Sequence, residues 1–244
     1  MKPTAQLLAE TVAAPRKTRG SLLAELFKAR LTSLVLLTTL VGFYLGQRGG
    51  MNWLLLVNTL LGTGLLACGA AALNQYLERD FDALMERTAD RPLPAGRIQP
   101  QMVVVLGGVI SVAGLLWLAF GVNLLTSVLG AVTLISYLFI YTPLKRKTTL
   151  NTAIGAVPGA LPPLMGWTAV QPEFVTHEAV LLAATLFGIV FLWQFPHFMA
   201  IAWLYRGQYA AAGSRMMTVV DPTGRTAGVQ AVVGAAMLIP TSLY

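Results

Sequence analysis

Charge is scarce in this chain. Only 11% of its 244 residues are Asp, Glu, Lys or Arg, against about a quarter in ordinary soluble domains. Apolar residues make up 56%, and the mean hydropathy is +0.67. That balance excludes a water-soluble globule. Cysteine is nearly missing as well: Cys68 is alone, which excludes an internal disulfide and any multi-cysteine zinc or iron–sulfur centre. Ten acidic residues face seventeen basic ones, for a net charge of +7. In a nucleic-acid-binding domain such an excess forms a basic face on a polar body. Here the basic residues separate long apolar runs, so the partner implied is membrane lipid and not nucleic acid. Residues 1–27 are basic but contain no short apolar core followed by a small-residue cleavage site, so they do not read as a secretory signal. They are expected to form a cytoplasmic segment ahead of a transmembrane domain over 28–244.

A helix needs roughly 20 apolar residues to cross about 30 Å of hydrocarbon. Seven runs qualify, near residues 31–46, 53–77, 101–120, 124–141, 152–170, 179–203 and 226–244. The fold class expected is therefore an all-α polytopic bundle. Sixteen of the seventeen Lys and Arg lie before the first run or after the second, fourth and sixth, and only Arg48 falls on the other side. Short cytoplasmic loops collect positive charge, so the N-terminus and these loops are expected to face the cytoplasm of a bacterial inner membrane, with a mitochondrial matrix as the alternative. The opposite loops are very short. Any chemistry is expected where lipid meets the basic side. The last run stops at residue 244 without a basic flank, and the chain is expected to be incomplete at its C-terminus.

The most informative segment follows the second run. Asn74, Glu78 and Asp82 are spaced by four, so on a helix each is turned about 40° from the last and one turn further along. Three oxygen-bearing side chains then share one stripe, while Asp80 faces away. Carboxylates near hydrocarbon need compensation. Magnesium supplies it, because it is commonly held by one or two carboxylates together with substrate phosphates. The alternative is a frayed helix end whose acids pair with neighbouring arginines. Pro92 and Pro94 are expected to end this helix and Gly96 to allow a turn, which bends Arg87 and Arg91 back over the stripe. A guanidinium fork suits phosphate oxygens and would steady a leaving diphosphate. Lys145, at the end of the fourth run, is a further phosphate candidate, whereas Arg146 and Lys147 read as anchors. Pro158, Pro162 and Pro163 are expected to break the fifth run, which is tolerated where backbone lines a cavity. His197, in the sixth run, could ligate iron, donate a hydrogen bond or shuttle a proton, although a single histidine is more often structural.

These segments resemble the UbiA-type intramembrane prenyltransferases. The first aspartate-rich motif of that family is similar to Asn74…Glu78…Asp82 followed by Arg87-Thr and Arg91-Pro-Leu-Pro. The heme-farnesylating branch is resembled more narrowly by residues 72–85, by Tyr141-Thr-Pro-Leu-Lys-Arg, by residues 159–167 and by Trp193-Gln-Phe-Pro-His-Phe198. The resemblance implies a bundle of nine spans with magnesium-bound farnesyl diphosphate at the mouth of a lipid-open cavity. It implies transfer of the farnesyl group to a vinyl carbon of protoheme IX (heme B), with water supplying a hydroxyl. Asn74, Glu78 and Asp82 match the metal site, Arg87, Arg91 and Lys145 the diphosphate, and His197 with Trp193 the porphyrin. Heme A synthase or terminal oxidase assembly is the implied partner. Where the branch carries an acidic pair ahead of a tyrosine, this chain has Gly207-Gln208-Tyr209, which shifts the expected second metal load to Asp221 or to water. Three other readings stay open: a prenyltransferase acting on a quinone precursor such as 4-hydroxybenzoate, a cation transporter, and a heme-binding factor without chemistry.

Overall fold

A computed structural model describes residues 17–173 and 176–243. The early basic residues Lys2 and Arg16, and Tyr244 at the end of the seventh run, lie outside the described residues. The elements in chain order are α1 (Arg19–Leu26), α2 (Ala29–Gly46), α3 (Trp53–Asp82), the short α4 (Glu86–Ala89), α5 (Pro100–Gly121) and α6 (Leu124–Ile135). The chain then passes through a π-helical turn (Ser136–Tyr141) into α7 (Thr142–Leu144). Next come α8 (Asn151–Val170), α9 (His177–Leu204), α10 (Arg206–Ala211), α11 (Met217–Val220) and α12 (Arg225–Ser242). Among the described residues six spans are long and apolar enough to cross a membrane: α2, α3, α5, the continuous stretch Leu124–Leu144, α8 and α9. The seventh expected run is helical too, as the 18-residue α12 packed along α9, but it is not among those six.

Between helices in lipid the apolar surfaces gain little by hiding from solvent that is itself apolar, so close packing falls to small residues. The α3–α5 seam follows that rule. Gly69 lies on Gly107 and Ser111, and Gly114 lies against the backbone of Leu66. The α2–α8 seam is tighter still: a Cβ on Gly42 would overlap the Pro163 carbonyl, and one on Gly166 the Thr39 carbonyl. Leu, Val and Phe side chains on the outer faces, such as Leu34, Leu37, Val105, Val109 and Phe139, are exposed to what would be lipid.

Two local expectations need correction. Pro158, Pro162 and Pro163 do not break the fifth span; all three sit inside a continuous α8. Each removes one backbone donor, but α8 is the most enclosed span, packed between α2 and α9. Nor do Pro92 and Pro94 end the acidic helix. It stops at Asp82, and residues 83–99 form turns around α4, with Gly96 at φ +67° as the turn requires.

On the basic side, α1 lies ahead of the first span as a separate short helix. Gln75, fully buried on α3, donates Nε2 to the carbonyls of Glu25 (2.7 Å) and Leu26 (3.1 Å) at the C-terminal end of α1. Lys28 then takes a left-handed conformation at φ +48° and turns the chain into α2. A clip ties α1 to the loop: Lys17 Nζ bonds Glu25 (2.8 Å) and Asp90 (2.7 Å), and Arg97 also bonds Asp90. Those two cations hold the Asp90 carboxyl down at about 2.

Candidate active site

The 30-residue α3 carries the acidic stripe to the basic end of the bundle, and the stripe is closed to solvent. Asn74, Glu78 and Asp82 are 1%, 5% and 2% exposed, while Asp80 is open to solvent, as its position on the far face predicts. All three buried side chains line one cavity of about 380 Å³, so the spacing does bring them together. Each is met by a cation from a different element. Lys28 Nζ lies 2.5 Å from Asn74 Oδ1, Lys145 Nζ 3.1 Å from Glu78 Oε1, and Arg91 Nη1 2.5 Å from Asp82 Oδ2. Asn74 also donates Nδ2 to Thr142 Oγ1 at 3.1 Å, and Thr88 anchors the loop by donating to the Asp82 carbonyl at 2.8 Å.

Arg87 reaches the same cavity over α10. Its Nη2 donates to Tyr209 Oη at 3.3 Å, its guanidinium lies 5.1 Å from the Tyr205 ring centre, and its backbone N–H is accepted by Gln208 Oε1 at 3.2 Å. Gln208, which stands where an acid is expected, therefore holds the loop. Asp221 does not replace that acid. It lies outside the cavity, where it accepts from Thr223 and from the backbone N–H of Thr226. Those bonds hold its carboxyl well below the ordinary range. Arg146 and Lys147 are exposed, with Arg146 over the Phe81 ring at 4.5 Å, in keeping with anchoring.

The polar mouth thus contains four cations, Lys28, Arg87, Arg91 and Lys145, against two carboxylates. Lys28 and Arg87 touch no carboxylate among the described residues. Burial, with Arg91 nearby, pulls the Lys28 ammonium down to about 8. A region with this surplus receives an anion. Two carboxylates and an amide are too few oxygens to enclose a divalent ion, and among the described residues no three His, Cys, Asp or Glu side chains converge to hold one. They do fit a magnesium ion that completes its shell with diphosphate oxygens and water. Below the mouth the walls become apolar: Leu31, Val35, Leu66, Leu134 and Met165 line the depth, with Ala67, Ala70 and Ala71 leaving space. A charged head and a hydrocarbon tail are accommodated in one continuous cavity.

Sequence reading passed over Lys28, and also Tyr137, Tyr209 and Gln194, all of which line the cavity. The spacing Tyr137, Tyr141, Lys145 was the available signal. The two rings stack with centres 5.9 Å apart, and Lys145 follows on the same face. His197 and Trp193 do not line the cavity. They stack on each other at 4.7 Å on an adjacent face of α9, with Trp193 half exposed, while Gln194, Phe198 and Ile201 face inward.

Comparison with known proteins agrees with this architecture. A protein from Solibacter usitatus named protoheme IX farnesyltransferase is 46% identical over 228 residues, covering 90% of this chain and 76% of the relative. One of the same name from Koribacter versatilis is 43% identical over 241 residues, covering 96% and 76%. A UbiA homolog from Archaeoglobus fulgidus, solved bound to DMAPP and Mg2+, superposes with a TM-score of 0.72 over 90% of this chain and 75% of that one; at 16% identity it shares the fold. The family model described as the UbiA prenyltransferase family matches residues 35–244. With its buried acid stripe, its surplus of cations and an apolar well beneath them, this chain belongs to the UbiA prenyltransferase family and is a membrane-embedded prenyltransferase.

Proposed function

We propose that the chain transfers the farnesyl group of farnesyl diphosphate to a vinyl carbon of protoheme IX, with water supplying a hydroxyl, on the cytoplasmic side of a bacterial inner membrane. The observation that carries this reading is the convergence of Lys28, Arg87, Arg91 and Lys145 with Glu78 and Asp82 on the mouth of one apolar-walled cavity. The named relatives supply the substrate pair. Asn74, Glu78 and Asp82 would hold magnesium, which when bound supplies Lewis-acid polarisation of the diphosphate.

The chain's own residues account for the remaining steps. Arg91 and Lys145 now neutralise the acids, and the same cations bind diphosphate oxygens once substrate enters. Arg87 and Lys28, free of carboxylates, orient the head. Negative charge grows on the diphosphate as the allylic carbon–oxygen bond lengthens, and cations already gathered in a mostly enclosed site stabilise it. The apolar walls keep bulk water from the electron-poor allylic carbon. A cavity of about 380 Å³ suits one elongated ligand. The flat porphyrin would therefore approach from the bilayer side of α9, where Trp193 and His197 stack, and only its vinyl arm would enter the cavity beside Gln194.

The test is incubation of membranes with protoheme, farnesyl diphosphate and magnesium, followed by mass analysis of the pigment. Gain of one farnesyl unit plus water is expected. In Asp82→Ala the yield should fall at least about a hundredfold with insertion unchanged. Full activity in that variant, or prenylation of 4-hydroxybenzoate in place of protoheme, overturns the reading.

A further inference from the structure

Among the polar side chains that line the cavity and that the diphosphate chemistry does not use, Gln194 is the one on α9. Gln194 is 5% exposed and faces the cavity from α9. Its Nε2 donates to the carbonyls of Ala156 (3.0 Å) and Val190 (3.2 Å), which uses both amide hydrogens. That pairing fixes the amide's orientation, because a flipped group would set its oxygen against two carbonyl oxygens. Oε1 is left as an acceptor with no hydrogen-bond donor among the described residues. It sits over Gly159, where any Cβ would overlap it.

The facing wall has the same shortage of donors. Pro158, Pro162 and Pro163 bring no N–H to α8, so the carbonyls of Ile154, Pro158 and Gly159 lose the partner four residues on. Pro158, Gly159 and Pro162 line the cavity beside Gln194. Acceptors without donors, enclosed by protein at membrane depth, cost about 1–3 kcal/mol each when left bare. A water molecule has two hydrogens to give and is held by two to four such partners.

We infer that Gln194 Oε1, with the carbonyls freed along α8, holds the water that becomes the product's hydroxyl; this rests on the function proposed above. The electrons balance as follows. The allylic carbon–oxygen bond breaks and its pair leaves with the diphosphate. The vinyl π pair forms the new carbon–carbon bond at the terminal vinyl carbon, which leaves the carbon beside the ring electron-poor. A lone pair of the held water forms the carbon–oxygen bond, and the proton that water sheds passes to the departing diphosphate. Gln194 accepts a hydrogen bond from the water and aims its lone pair; it takes no proton. Without that water the same cation loses a proton from the neighbouring carbon instead, and the product is an alkene lighter by one water.

The experiment reads the ratio of hydrated to dehydrated farnesyl-porphyrin in membranes containing Gln194→Met, Gln194→Leu or Gln194→Glu, each supplied with protoheme, farnesyl diphosphate and magnesium. In the apolar variants the ratio should fall at least about tenfold, the size of one lost hydrogen bond. Gln194→Glu keeps an acceptor and should stay mainly hydrated. The result is taken from whichever apolar variant accumulates in the membrane. An unchanged ratio overturns the inference. So does loss of both products together in an inserted protein, because a water-positioning group acts only after the carbon–carbon bond has formed. If the parent chain yields no farnesylated porphyrin at all, it is the proposed function that fails.

Discussion

Lys145→Met should strand a charge. Glu78 is 5% exposed and its bonded partner is the Lys145 ammonium at 3.1 Å, itself mostly enclosed. Removing one member of such a pair costs about 3–5 kcal/mol, most of it the burden of the carboxylate left behind. Lys28 and Arg91 still act on Glu78 from nearby, which places the cost near about 3 kcal/mol. At about 2–4 °C per kcal/mol for a chain of this size, the thermal midpoint in detergent should drop roughly 6–12 °C. Adding Glu78→Gln removes the stranded charge, so the double variant should recover most of that loss. Neither the single nor the double variant should recover turnover, since both lose a diphosphate-facing cation. Midpoints of the four proteins in one detergent, followed by loss of soluble protein on heating, complete the cycle. A double variant no more stable than Lys145→Met would refute the argument that Glu78 depends on this partner.

Gly166→Ala should also destabilise, because its Cβ would overlap the Thr39 carbonyl on α2. Overpacking of about 1–3 kcal/mol is expected, whereas Gly108→Ala meets nothing and should be neutral or slightly stabilising by helix propensity. Equal midpoints for the two would contradict the seam as described. The α1–loop clip should respond to acid. Asp90 has its carboxyl depressed from 3.8 to about 2 by Arg97 and Lys17, so its contribution is complete above about pH 4 and is lost as pH falls toward 2. Pepsin cleavage within residues 83–99 should rise over that window, and Asp90→Asn should show the higher cleavage already at pH 4. Indistinguishable cleavage of variant and parent would remove the clip.

Much of this fold is legible in the chain, for simple reasons. A spanning helix has only to be long and apolar, so each expected run coincides with a helix over its described residues. A spacing of four has only one outcome on a helix, so Asn74, Glu78 and Asp82 share the cavity. What fails to show is whatever depends on a partner distant in sequence. Lys28 looks like an interfacial anchor until Gln75 pins the end of α1 and turns it inward. The prolines of α8 look like breaks because their neighbours, which keep the helix whole, lie on α2 and α9. His197 draws the eye for its chemistry, yet it sits about 60° around the helix from Gln194, three positions earlier, which faces the cavity. Nothing within that short run says which face the bundle will close upon.

The π-helical turn at Ser136–Tyr141 has a consequence for how this chain tolerates change. Such a turn carries one more residue than the ordinary ladder needs, and its wider winding absorbs that surplus, so the turns before and after it keep nearly the phase of one regular helix. Deleting a single residue there would leave a plain α-helix with Lys145 still aimed at Glu78. The same deletion in a regular turn of this span would swing every later position by about 100° and carry Lys145 away from its partner. These six residues are therefore where the fourth span can lose a residue and keep its active face.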